Sequence, residues 1–229
     1  MKKNKWILPA VLAVIIVNFL IGRNFQHQKD HAGEQEAETT LQTEKTEETP
    51  SEETEFPQLP DSVLYYGEIK EILPDEDGFP RKLRMDSPKD GEYIMELGEN
   101  TAFILSGERK SFDPKTLQEG DRVYVFLSPI AAKTLPPQSA AFAVLKDVPM
   151  DASCGMYHEA EKLTKTEGTI QILTDNGEKT LELKKDAKVL DTSGEETDVS
   201  YLKEGNFIIA WYWDQGQEII PVSHIMILP

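Results

Sequence analysis

The feature that most constrains this chain is a stretch that occurs twice. Leu117-Gln118-Glu119-Gly120-Asp121-Arg122-Val123-Tyr124-Val125-Phe126 returns 85 positions later as Leu202-Lys203-Glu204-Gly205-Asn206-Phe207-Ile208-Ile209-Ala210-Trp211. Each copy carries a leucine, a turn with glycine at a position that other residues adopt only at a cost, and then an alternating β-branched and aromatic run. The 85-residue offset recurs at Asp113 and Asp198, at Ala102–Leu105 and Ala187–Leu190, and at Leu135-Pro136 and Ile220-Pro221. A fixed offset held at several points marks a tandem repeat.

Around the repeated stretch the segments are short, rich in aromatic and β-branched residues, and bounded by turn signals. No long helical period is present, so the fold class is all-β. The first copy opens on Val63–Leu73 and the second on Glu167–Leu173. Asp175-Asn176-Gly177 predicts a tight hairpin in the second copy, where the first has a longer charged excursion from Pro74 to Gly91. The size of each copy suits a five-stranded, partly open barrel. The expected architecture is therefore two tandem OB-like β-barrel units, with a β-sandwich formed jointly by both copies as the alternative. The units are bounded at 61–149 and 164–229, with a connector at 150–163.

The front of the chain is of another kind. Lys2, Lys3 and Lys5 precede an uncharged run from Trp6 to Gly22, closed by Arg23. A basic start before an apolar run is an export signal or a membrane anchor. No small-x-small site follows, which favours an uncleaved, single-pass signal anchor over 1–25, with its lysines in the cytoplasm. Secretion after cleavage is the alternative. From 26 to 60 the chain is rich in Glu, Thr and Gln and nearly lacks large apolar residues. Such a segment cannot bury enough surface to offset its ordering entropy, and reads as a disordered acidic spacer. His27 and His31 in this segment stand at i, i+4 but form no further pattern. Everything beyond the anchor is expected outside the cytoplasmic membrane, in the cell envelope.

The net charge of −17 repels phosphate backbones and argues against a nucleic-acid partner. The single cysteine, Cys154, excludes an intramolecular disulfide framework. No P-loop, GxGxxG, HExxH or GxSxG pattern occurs, so no catalytic residue and no cofactor is assigned.

Three stretches carry candidate sites. Pro136 and Pro137 preset the backbone of a loop that presents Gln138 and Ser139 to a partner, or steers the chain into its last strand. Cys154, Met156 and His158 fall on one face of an extended chain, and thiolate, thioether and imidazole together suit Cu(I) or zinc. The same residues serve equally as packing in a connector. Trp211 and Trp213 share a strand face that is either a stacking platform for a glycan or peptide, or core.

The run from Ser128 to Ala141, SPIAAKTLPPQSAA, resembles an SP-x5-LPPQS-x-A pattern. That pattern follows an L-x-x-G-D-x-V-x-V strand in small exported β-domains of Gram-positive bacteria. Some of those domains are similar to companions of copper-amine-oxidase-N-terminal-like cell-surface modules. The match covers Tyr66 to Val144, in the first copy only. It implies a small β-domain outside the membrane and carries over no catalytic residue.

Together these features lead to the expectation of a membrane-anchored, extracytoplasmic, non-enzymatic interaction module that binds an envelope protein, a peptide or a wall glycan. A metal-binding or metal-sensing protein and a hydrolase with a site invisible in sequence are the alternatives.

Overall fold

The computed structural model describes residues 59–150 and 153–229. The expected anchor over 1–25 and nearly all of the acidic spacer over 26–60 lie outside the described residues. Among the described residues the fold is all-β, without α-helix, and these residues form one compact unit.

The first half closes into a barrel of five strands: β1 (Val63–Pro74), β2 (Pro80–Ser87), β3 (Gly91–Leu105), β5 (Arg122–Leu127) and β6 (Gln138–Lys146). β1 pairs antiparallel with β2, and β2 with β3. β3 runs parallel to β6, β6 antiparallel to β5, and β5 returns to β1. β1 closes the ring by serving two partners, β5 along Val63–Glu68 and β2 along Glu68–Pro74. It passes close to β2 at Gly67, where a Cβ would lie 2.6 Å from the Asp86 carbonyl oxygen. The short β4 (Lys110–Ser111) pairs with the end of β3. Alternation on β2 sends Leu83 and Met85 inward and Lys82 and Arg84 outward. The excursion expected from Pro74 to Gly91 therefore contains a barrel strand, whose outward charges masked its period in the sequence.

The second half consists of β7 (Gly155–Glu159), β8 (Lys162–Thr166), β9 (Thr169–Thr174), β10 (Lys179–Leu190), β11 (Phe207–Tyr212) and β12 (Ile219–Ile227). They pair in the order β7-β11-β12-β10-β9-β8, with β10 and β12 parallel. β7 and β8 stand at opposite edges of this order, yet only Ala160 and Glu161 separate them. The Ala160 amide donates to Asn206 and the Glu161 amide to Leu173, at 2.8 and 3.0 Å. One interrupted strand thus serves β11 first and β9 afterwards, as β1 serves β5 and then β2. The details coincide: Ile69 exchanges backbone bonds with Gly120 and Asp121, and Ala160 does so with Gly205 and Asn206. The segment read as a connector, 150–163, accordingly contributes β7 and the start of β8. Glu167–Leu173, read as the first strand of the second copy, falls largely on its third strand, β9, ahead of the Asp175–Gly177 turn.

The repeated stretch itself does the same work twice. Asp113 and Asp198 cap 3-10 turns at Pro114–Thr116 and Val199–Tyr201 through side-chain bonds to backbone amides. Leu117 and Leu202 follow and are buried in the two interiors. Gly120 and Gly205 take positive φ, +91° and +82°, which turns the chain into β5 and β11.

Three apolar clusters hold the fold. The first fills the barrel, around Ile69, Leu83, Met85, Met95, Val123 and Val125. The second lies inside the other half, around Ile172, Leu181, Val189, Ile208 and Ile225. The third joins them: Ile104, Phe126 and Leu145 from the first half meet Leu190, Trp211 and Met226 from the second. These six occupy matching places, since Ile104 pairs with Leu145 as Leu190 does with Met226, and Trp211 follows Phe126 by 85. Gly155 makes this approach close, because a Cβ there would lie 2.4 Å from the Ile209 side chain.

Candidate functional site

The joint between the halves leaves an open cleft of about 700 Å³ on one side. Tyr66 on β1 and Tyr124 on β5 are cross-strand partners whose rings pack 4.5 Å apart on the outside of the barrel. Arg122 and Lys146 stand beside them, at the start of β5 and the end of β6. The opposite wall brings Lys179 from β10 and Tyr212, Trp213 and Asp214 from the end of β11. The floor includes Cys154 and Met156. Three cations and two carboxylates, Asp147 and Asp214, line this cleft in a protein of net charge −17. Each cation also has an acidic neighbour: Arg122 faces Glu68, Lys146 faces Asp121 and Lys179 faces Asp175.

The aromatic run divides where β11 ends. Trp211 is 2 % exposed, in the third core, and its Nε1 donates to the Ser106 hydroxyl at 3.2 Å. Trp213 is 60 % exposed, on the rim of the cleft. Strict alternation puts the two on one face, but the pairing of β11 with β12 shifts register between Trp211 and Tyr212 and β11 stops there. The chain then turns out, so Trp213 alone is available to a partner.

The proline loop is tied down. The Leu135–Pro136 peptide is cis, and Leu135 is 99 % exposed at the tip. Ser139 is buried, with its hydroxyl 2.9 Å from the Ser128 carbonyl and 3.0 Å from that of Ile130. Gln138 is bonded to Thr134 within the loop and to Lys82 on β2. Pro136 and Pro137 are half-buried. None of the four lines the cleft between the halves.

Cys154 is half-buried against the third core, and burial pushes its thiol up to about 12 from an ordinary value near 9. The thiolate fraction near neutral pH is therefore about a thousandfold below that of a free cysteine. Iodoacetamide at pH 8 should accordingly label the native chain slowly and the urea-unfolded chain rapidly. Equal rates would contradict the burial. The same shift carries a stability sign. Below about pH 9 the thiol is neutral in both states. Above it the unfolded chain ionises first, so stability falls as pH rises towards about 12, and Cys154→Ser removes that contribution.

His158 points away from this chemistry. It is 2 % exposed, with Nε2 2.8 Å from the Tyr212 hydroxyl and Nδ1 3.1 Å from Asp175 Oδ1. Lys179 Nζ sits 2.8 Å from the other Asp175 oxygen. Burial raises the Asp175 carboxyl, but the hydrogen bonds of His158 and Lys179, with the Lys179 charge, outweigh it and hold that carboxyl well below the usual range. Burial, with the charges of Asp175 and Asp214, pushes the Tyr212 phenol well above its usual value. The ionised Asp175 only accepts, so Nδ1 carries the hydrogen and donates to it, and in the neutral ring Nε2 accepts from the protonated Tyr212 hydroxyl. The Cys154 thiol is not part of the metal-ligand grouping around His158. That grouping consists of Asp61, His158 and Asp175, with ligand atoms within 4.8 Å of one another.

Sequence reasoning missed Asp61, Asp175 and Tyr212 as partners of His158, and Tyr66, Tyr124, Arg122, Lys146 and Lys179 as a cleft. Asp175 announced itself only as a turn residue, and nothing in the spacing joins residues from both halves. Comparison with protein-family models and with curated proteins finds no match for the chain.

Proposed function

We propose that this chain is a membrane-anchored, extracytoplasmic binding module, without enzymatic activity, built from two OB-like barrel units that arose by duplication. Its ligand occupies the cleft at the junction of the units. The single observation that carries this reading is the lining of that cleft: Tyr66, Tyr124 and Trp213 offer ring faces, and Arg122, Lys146 and Lys179 offer donors beside them. Exposed rings stack on sugar faces or peptide groups, and the cations select carboxylates. A carboxylate-bearing wall glycan or peptide fits both. Matched strand connectivity, matched backbone bonds and a junction made from equivalent positions support duplication. Lys2, Lys3 and Lys5 ahead of the uncharged run support the anchor, and the LPPQS resemblance supports the envelope location. The hydrolase alternative draws nothing from Cys154, whose half-buried thiol stays neutral at physiological pH.

Co-sedimentation of the full chain, in detergent, with purified Gram-positive cell-wall sacculi tests the reading. The wild type should pellet with the wall, and Trp213→Ala and Arg122→Ala should each weaken retention roughly tenfold. Both side chains are largely exposed, so the melting temperature should stay at the wild-type value. Retention that is absent, or unchanged in both variants, overturns the cleft as the binding site.

A further inference from the structure

Asp61, His158 and Asp175 are not among the lining residues of the binding cleft, although Tyr212 and Lys179 border both, and the cluster has its own construction. Asp61 belongs to the segment just ahead of β1, in the first half by sequence, yet it is laid against the second half. Its Oδ2 accepts from the Asp175 and Glu159 amides at 3.1 and 3.4 Å. Beside it the Asn176 side chain donates to the Leu59 carbonyl at 2.6 Å. These bonds carry a carboxylate across the fold to the imidazole of β7 and the carboxylate of the β9–β10 turn.

We propose that Asp61, His158 and Asp175 bind a divalent first-row transition cation of the Zn²⁺ or Mn²⁺ class, through His158 Nδ1 and one oxygen from each carboxylate. The donor set is two hard oxygens and a borderline nitrogen, which suits these ions and does not suit Cu(I). The charge is right as well, since two carboxylates face one lysine and leave a formal excess of one negative charge. The surroundings fit a metal's outer shell. Lys179 occupies one Asp175 oxygen and leaves Oδ1 towards the site, and Tyr212 meets the far nitrogen of the ring. Binding exchanges the tautomer. Nδ1 gives up its hydrogen to become a ligand, Nε2 takes one, and Tyr212 changes from donor to acceptor. Three protein ligands leave coordination positions for water or a further group. The ion would staple the entry segment at Asp61 to the second half.

The test is isothermal titration of the full chain with ZnCl₂ and with MnCl₂, alongside Asp61→Asn and Cys154→Ser. One of the two ions should fill a single high-affinity site at one per chain and raise the melting temperature. Asp61→Asn should weaken that site roughly tenfold to a hundredfold. Its amide oxygen still accepts from the Glu159 and Asp175 amides, so the metal-free protein should melt as the wild type does. Cys154→Ser should leave the affinity unchanged. Nitrogen-15 NMR should show the His158 proton on Nδ1 without metal and on Nε2 with it. Absence of a stoichiometric site, equal affinity in Asp61→Asn, or loss of binding in Cys154→Ser would each overturn the proposal. Equal affinity would assign the ion to the His27/His31 segment or the acidic spacer. Loss in Cys154→Ser would return it to the thiol set.

Discussion

Truncating Trp211 to alanine should lower the stability of the folded part by about 3–5 kcal/mol, the usual cost of removing a fully buried aromatic side chain. Trp211 is the largest side chain of the third core and is packed between two β-structures rather than inside one. Its loss also strips the Ser106 hydroxyl of the indole N–H, although the Gly155 amide still donates to that oxygen at 3.2 Å. The two inner cores are built from other buried residues and should survive the change. Urea unfolding followed by circular dichroism should therefore show one steep transition for the wild type. The variant should show an earlier transition with a lower denaturant slope, as the halves begin to unfold separately. A loss below about 1 kcal/mol, with an unchanged slope, would mean that the junction collapses around the cavity and is no separate core.

The second large effect is expected at Asp175. Asp175→Ala leaves the His158 Nδ1–H without its acceptor in a nearly solvent-free site and frees Lys179 from its partner. Orphaning a buried donor and breaking a half-buried ion pair should together cost about 3 kcal/mol. Asp175→Asn keeps an acceptor oxygen for the ring and should cost less than half as much. Thermal unfolding of both variants in the presence of EDTA separates this structural role from any metal. If alanine and asparagine behave alike, the hydrogen bond to His158 contributes nothing.

Much of the fold was readable from pattern. The all-β class followed from short alternating runs, and the repeated Leu-x-x-Gly stretch is indeed the same turn and strand in both halves. The strand β2 and the pair β7 and β8 were not legible, for different reasons. On β2 the charges of Arg81, Lys82 and Arg84 dominate the composition, although Leu83 and Met85 alternate beneath them. On β7, Gly155–Glu159 looked like part of a linker because it is short and lies between the two copies of the repeat. The offset itself drifts: Phe103 and Val189 face the two interiors, whereas a strict 85 would pair Phe103 with exposed Lys188.

The candidate residues divide along the same line. Trp213 was singled out and stands in the cleft, while Trp211 beside it is core, because a register shift at the end of β11 breaks the alternation. His158 was singled out with Cys154 and Met156, and its bonds run instead to Asp175 and Tyr212. Local periodicity assigns a side chain to a face but says nothing of what the opposing element brings to that face.

By itself the sequence determined the class of structure, the doubled strand-and-turn unit, the acidic balance and the basic-then-apolar front, because each is a property of neighbours along the chain. Only the tertiary structure decided which apolar residues face inward and which join the halves. It also placed Asp61 beside His158 and brought the tyrosines of β1 and β5 opposite Trp213. Those contacts arise where a barrel closes and where it meets the second sheet, between residues scores of positions apart, and burial there is set by the partner surface rather than by the pattern of either strand.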